Sequence, residues 1–200
     1  MIKQNLFLAS LILLLTGCVT GYTLVDPGPI LVGELIVDVG SGYNKAPGVS
    51  FSTQRKGSQS WTQDGLLLDR LTIIPAVADG EPLLKPTSKD AALPVFRKGM
   101  LPNEIEELVE STIVKMFGEG NAAVSTSNLR PHRYGKDRGI LFDVSAMVTE
   151  SPSYKGIVGA FIVQEHLYIL WFMAAEPYYY SKHVQKAEAI IHSARLSGAE

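Results

Sequence analysis

Gly156-Ile157-Val158-Gly159-Ala160-Phe161-Ile162-Val163, then Gln164-Glu165-His166, then Leu167-Tyr168-Ile169-Leu170-Trp171-Phe172-Met173-Ala174-Ala175. Two apolar runs flank a short polar break. β-Branched and aromatic residues fill both runs, so the stretch predicts a β-hairpin turning at 164–166. Alternate side chains of a strand point to opposite faces, and the second run is apolar on both. Such a strand belongs to a sheet covered on each side.

Upstream, Ile140 to Val148 sets Ile140, Phe142, Val144 and Ala146 against Asp143 and Ser145, which predicts a half-buried strand. Ala122 to Arg130 predicts another. Before them Ile105, Leu108, Val109, Thr112, Ile113 and Met116 recur at helical spacing, which predicts a helix over 102–117. Pro102 suits its first turn, Asn103 and Glu106 suggest a capping pair, and Gly118 suits its end. Glu104, Glu106, Glu107 and Glu110 fit dipole and solubility roles. Downstream, Ser181 is a candidate N-cap for a closing helix with Val184, Ala187, Ile190, Ile191 and Ala194 as its apolar stripe.

The first half reads less sharply. Ile30 to Val39 predicts one strand, broken by Gly40-Ser41-Gly42, and Gly48 to Thr53 predicts a short one. Residues 54–60 read as turn, Gly65 to Ile74 as a strand, Asp79-Gly80 as a turn and Glu81 to Pro94 as loop. Strands, helix, antiparallel strands and helix together predict an α+β fold: a mostly antiparallel β-sheet with helices packed on it.

The 200 residues suit one domain. A hydrophobic share of 46% with 19% charged residues excludes intrinsic disorder and a coiled coil. Eighteen basic against 20 acidic residues give a net charge of −2, which excludes nucleic-acid binding by bulk charge. One cysteine excludes an internal disulfide and any multi-cysteine metal site.

Lys3 precedes an apolar run from Leu6 to Leu15. As a helix that run spans about 15 Å, half of a ~30 Å hydrocarbon core, so it predicts a signal peptide and not a membrane span. It ends in Leu15-Thr16-Gly17-Cys18, which resembles the lipobox of bacterial lipoproteins. That resemblance implies a signal peptide over 1–17, a mature chain starting at acylated Cys18, and a membrane partner reached through it. Losing Lys3 leaves 17 basic and 20 acidic residues, a net of −3, so lipid and not charge must anchor the body. Val19 where a retention Asp would stand implies the outer membrane, facing the periplasm. Residues 18–28 then form a short tether and 29–200 a single α+β domain.

The helix before the sheet, the successive hairpins from Ala122 to Ala175, and the closing run are similar to the PsbP-like (DcrB-like) fold family. That run is Tyr180-Ser181-x-x-Val184-x-x-Ala187-x-x-Ile190-Ile191-x-Ser193-x-Arg195-Leu196. Residues 27–80 depart from the family's usual opening, an apolar strand ending in a proline and a tryptophan. Trp61-Thr62-Gln63-Asp64-Gly65 distantly resembles it. The resemblance implies an accessory or assembly factor more than an enzyme, and carries no functional residues across.

No nucleophile elbow, P-loop, dinucleotide fingerprint or metalloprotease motif is present, so no catalytic residue, cofactor or metal is assigned. Arg130, His132, Arg133, Lys136 and Arg138 cluster between two strands, opposed only by Asp137, and form a candidate anion or partner contact set in a hairpin loop. Asp64, Asp69, Asp79 and Glu81 are the carboxylates a glycosidase would need in pairs. His166 and His183 read as exposed, and Glu188 with His192 as an exposed i, i+4 pair. Tyr178-Tyr179-Tyr180 reads as a connector packing across the sheet edge. Three functions remain open: a lipid-anchored, non-catalytic adaptor or assembly protein with an envelope protein partner; an envelope hydrolase with a dispersed site; and a periplasmic small-ligand or lipid carrier.

Overall fold

A computed structural model describes residues 21–47, 54–86 and 92–198. The signal peptide, Cys18 and the strand expected at Gly48 to Thr53 lie outside the described residues. Among the described residues eleven strands and two helices follow in chain order. The strands are β1 (Thr23–Val25), β2 (Gly28–Val32), β3 (Leu35–Val39), β4 (Tyr43–Lys45), β5 (Gln59–Thr62) and β6 (Asp69–Val77), then β7 (Ala122–Tyr134), β8 (Asp137–Val148), β9 (Tyr154–Val163), β10 (His166–Ala175) and β11 (Arg195–Leu196). Helix α1 (Pro102–Phe117) joins β6 to β7, and α2 (Tyr178–Ser193) joins β10 to β11. The large antiparallel sheet runs β1-β4-β5-β6-β10-β9-β8-β7, and a small one runs β11-β3-β2.

The expected hairpin forms over 154–175, with Leu167 opposite Ile162 and Met173 opposite Gly156, but His166, read as turn, is the first residue of β10 and pairs with Val163. Gln164 and Glu165 turn it at φ 49° and 64°. The strand β10 is buried on both faces. Leu170, Phe172 and Ala174 join a core with Leu35, Val37, Ala187 and Ile191, under α2 and the small sheet. Ile169, Trp171 and Met173 join a second core with Ile105, Leu108, Val109 and Ile113 of α1. Each buried Val, Leu, Ile, Phe or Met side chain among them contributes about 1.5–3 kcal/mol.

Several elements differ from the sequence reading. Ile30 to Val39 is a hairpin, because Gly33 turns at φ 60° with Pro75 packed where a Cβ would stand, 2.9 Å away. The strand expected from Gly65 starts at Asp69, since the Leu68 and Asp69 N–H groups both donate to the Gly65 carbonyl and close a turn. Gln59 and Ser60, read as turn, belong to β5. The sheet also takes β1 from the stretch expected to be tether. Helix α1 matches its expected span, but its N-terminus is closed by Glu104 accepting the Leu101 N–H at 2.6 Å, not by Asn103 and Glu106. Helix α2 starts four residues early: Pro177 is the N-cap in place of Ser181, and Ser181 donates its hydroxyl to the Pro177 carbonyl at 3.2 Å. Among the described residues no helix is long and apolar enough to cross a membrane.

Candidate functional site

Four of the five residues of the basic cluster lie on paired strands and not in a loop; Lys136 alone is in the turn. A bulge between Ser127 and Arg130, with Asn128 at φ 57°, lets β7 continue to Tyr134, leaving Gly135-Lys136 as the turn. Pairing sets His132 opposite Gly139, Arg133 opposite Arg138 and Tyr134 opposite Asp137. Alternation therefore divides the cluster between the two faces.

Arg130, His132 and Tyr134 face the α2 side. Tyr134 is fully buried, stacks on Phe161 at 4.5 Å and donates to the Ile140 carbonyl at 2.9 Å. Its hydroxyl fills the space above Gly159, where a Cβ would sit 2.3 Å from it. His132 stacks on His192 of α2 at 4.5 Å and meets Tyr134 edge-on at 4.8 Å. Burial, then the His192 ring, lowers the pKa of His132 and favours its neutral form. Arg130 binds Asp143 at 3.1 Å and the Asn128 carbonyl at 2.9 Å. Asp143, and not Asp137, is thus the acid that opposes the cluster.

Arg133 and Arg138 take the other face. Both are exposed, as is Lys136 in the turn, and none of the three has an acidic partner among the described residues. Like charges directly across a strand pair are destabilising, by roughly 0.2–1 kcal/mol. Of the five cluster residues, the structure holds these three cations together at the hairpin tip.

A second constellation joins the 62–69 turn to α2. Asp69 is fully buried and accepts from the Thr62 hydroxyl at 2.9 Å and from the Gln63 and Asp64 N–H groups at 2.8 Å. Asp64 Oδ2 accepts from Lys182 Nζ and His183 Nε2, each at 2.6 Å. The Lys182 bond, then the His183 bond, holds the Asp64 carboxyl below the usual carboxylate range. His183 is 1% exposed, against the expectation of an exposed residue. It shares the helix face of Ala187, Ile190 and Ile191, and that i, i+4, i+7, i+8 spacing is the sequence signal that marks it as buried.

One donor atom each from Asp64, Asp69 and His183 lies within 4.8 Å of the others. Asp69 already accepts three hydrogen bonds, and Asp64 Oδ2 is taken by Lys182 and His183. Through these bonds the arrangement clamps the 62–69 turn to α2.

Asp79 and Glu81 lie elsewhere. Asp79 accepts the Lys98 N–H at 3.0 Å, and Glu81 accepts the Ala78 N–H at 2.9 Å and pairs with Arg55. His166 Nδ1 bonds the Gln164 carbonyl at 2.9 Å, and Glu188 lies 3.6 Å from His192. The three tyrosines form the first turn of α2 rather than a connector, with Tyr180 on Phe172 at 6.3 Å and Tyr178 exposed.

No family model matches the chain, and no curated protein does. Solved structures do. The solution structure of cyanobacterial PsbP (CyanoP) from Synechocystis sp. PCC 6803 aligns with a TM-score of 0.56 at 8% identity, covering 91% of this chain and 96% of that one. The crystal structure of LpqN, described as involved in cell envelope biogenesis of Mycobacterium tuberculosis, aligns with a TM-score of 0.35 at 9% identity, covering 91% and 87%. At such identity a likeness reports the fold alone. The CyanoP alignment reaches well into the first half, where the sequence pattern departed from the family's opening. The chain has the PsbP-like α+β fold.

Proposed function

We propose that this chain is a lipid-anchored envelope protein whose domain docks a protein partner and catalyses no reaction. The anchor is Cys18 in its lipobox. The docking surface is the β7–β8 tip, where Arg133, Lys136 and Arg138 present positive charge to an acidic segment of the partner. One observation carries the reading: Arg133 directly opposite Arg138, with no acid on either. Unpaired like charge held in register is suited to a ligand that brings the countercharge.

The tip belongs to the opposite edge of the sheet from β1, where the chain enters. Along the twisted sheet seven strand spacings of ~4.8 Å lie between those edges, at most about 34 Å. That is several Debye lengths of ~8 Å, which favours a protein partner over the headgroups beside the anchor. Outer-membrane placement belongs to the same proposal and rests on Val19 after the cysteine.

The test is crosslinking in intact cells followed by mass spectrometry. Arg133→Glu with Arg138→Glu is expected to lower capture of the partner at least tenfold at unchanged abundance. Cys18→Ser is expected to release the protein from the membrane fraction. Undiminished capture by the double variant refutes the docking surface, as does binding of wild type to anionic vesicles in place of a protein. Cys18→Ser protein that still sediments with membranes refutes the anchor.

A further inference from the structure

Strand β7 ends the large sheet, and among the described residues only β8 pairs with it. The Thr149 N–H donates to the Asn121 carbonyl at 2.8 Å, so these two residues form a hydrogen-bonded pair. Such pairs alternate with non-bonded ones along an antiparallel ladder. Ala122, Val124 and Thr126, opposite Val148, Ala146 and Val144, therefore turn their N–H and C=O groups away from β8. Among the described residues nothing bonds to that side of the strand.

Folded proteins blunt such edges with short strands, bulges, proline or charge. At the far edge β1 is only 3 residues long. In contrast β7 has 13 residues, and its second half carries the bulge, Pro131 and Arg133. The stretch from Ala122 to Ser127 carries none of these devices. It is an open template for an added strand.

Helix α1 decides which strand fits. It lies mainly over β7, and Glu110 Oε2 accepts from the Thr126 hydroxyl at 3.3 Å. Glu106 stands one turn earlier on the same flank, and both glutamates are half-buried. Neither has a cationic partner among the described residues, and Lys115, the one lysine of α1, is taken by Glu119. Residues directly opposite in an antiparallel pair share a face. Side chains across from Val124 and Thr126 in an added strand would thus turn toward these carboxylates.

We propose that β7 takes up an extended segment of a partner protein as an added antiparallel strand, with basic side chains at alternate positions meeting Glu106 and Glu110. A second copy of this chain would bring the same two acids against them, which like charge disfavours. The surface is separate from the β7–β8 tip and opposite to it in sign, so it does not rest on the docking reading.

Amide hydrogen exchange of the full chain, resolved by NMR, reads an added strand as protection at every second residue. The probe is an acetylated, amidated hexapeptide alternating lysine and valine. At about ten times its half-saturating concentration the edge is free roughly a tenth of the time, so exchange at Ala122, Val124 and Thr126 should slow about tenfold. Ala123 and Ser125, already bonded to β8, should change less than about twofold. A glutamate–valine peptide, and the lysine peptide methylated on its backbone nitrogens, are expected to give no protection. Glu106→Lys with Glu110→Lys is expected to exchange the preference, so that the glutamate peptide protects. No slowing at ~5 mM lysine peptide, enough to reveal millimolar affinity, overturns the proposal. Equal protection by both peptides overturns it as well. So does slow exchange at the three residues in the protein alone that deepens with protein concentration, since a second copy would then hold the edge.

Discussion

Asp64→Ala separates a structural clamp from a catalytic pair. The side chain accepts two hydrogen bonds, and they are not equal. Lys182 is well exposed, so its ion pair is screened and contributes little. His183 is 2% exposed at its side chain and Asp64 is 27% exposed. A carboxylate only accepts, so Nε2 carries the proton, and removing Asp64 strands a buried donor. That loss costs roughly 1–3 kcal/mol, and the partial exposure of Asp64 argues for the lower part of the range, about 1–2 kcal/mol.

A domain of this size shifts its midpoint by ~2–4 °C per kcal/mol, so thermal denaturation followed by circular dichroism at pH 7 should show a fall of about 2–8 °C. The pH dependence has a definite sign. The folded-state pKa of Asp64 is depressed, so its contribution is present above the unfolded value of ~3.9 and is lost as pH falls through the folded one. The gap between wild type and variant should close below pH 4, while Lys182→Met moves the midpoint by less than ~1 °C at pH 7. A gap under ~1 °C at pH 7, or one that widens in acid, refutes the clamp.

Two further changes test the packing. Ile113→Ala removes a fully buried side chain of α1 and should cost about 2–5 kcal/mol in chemical denaturation, while Met147→Ala at an exposed site stays within ~0.5 kcal/mol. Gly156→Ala places a Cβ 2.2 Å from the Phe172 carbonyl oxygen, so the β9–β10 pair must spread; a loss of about 1–3 kcal/mol or more is expected, and a stability equal to wild type contradicts that register.

The periodic elements were legible in the sequence because burial imposes a period. Helix α1 follows its stripe to the residue, and β10 is apolar on both sides because two cores need it. The misreadings fell where a single backbone feature overrides composition. Gly33 splits an apolar run into a hairpin, Pro177 starts α2 ahead of Ser181, and Asn128 in a bulge carries β7 past Arg130. The sites were half legible. Charge density marked the tip, but only register shows that Arg133 meets Arg138 while Arg130 leaves to join Asp143. Asp64 and His183 stand 119 positions apart, and no local pattern links them. No local pattern marks the open edge of β7 either, since strand order is set by pairing.

With both faces of the central strands sealed, surface chemistry is left to edges and turns, and the β7–β8 tip can be changed without touching a core. That allows stability and docking to be moved in opposite directions. Arg138→Glu sets a carboxylate directly across from Arg133. It replaces like-charge repulsion with attraction, and cross-strand pairs of this kind contribute roughly 0.2–1 kcal/mol each way. The thermal midpoint should therefore rise by about 1–8 °C, with the gain reduced by salt. If the two arginines are held unpaired for a partner's acid, the same substitution must weaken crosslinking to that partner. Both effects belong to one residue, and a variant that is more stable and equally well captured would show that the opposed arginines are an accident of register.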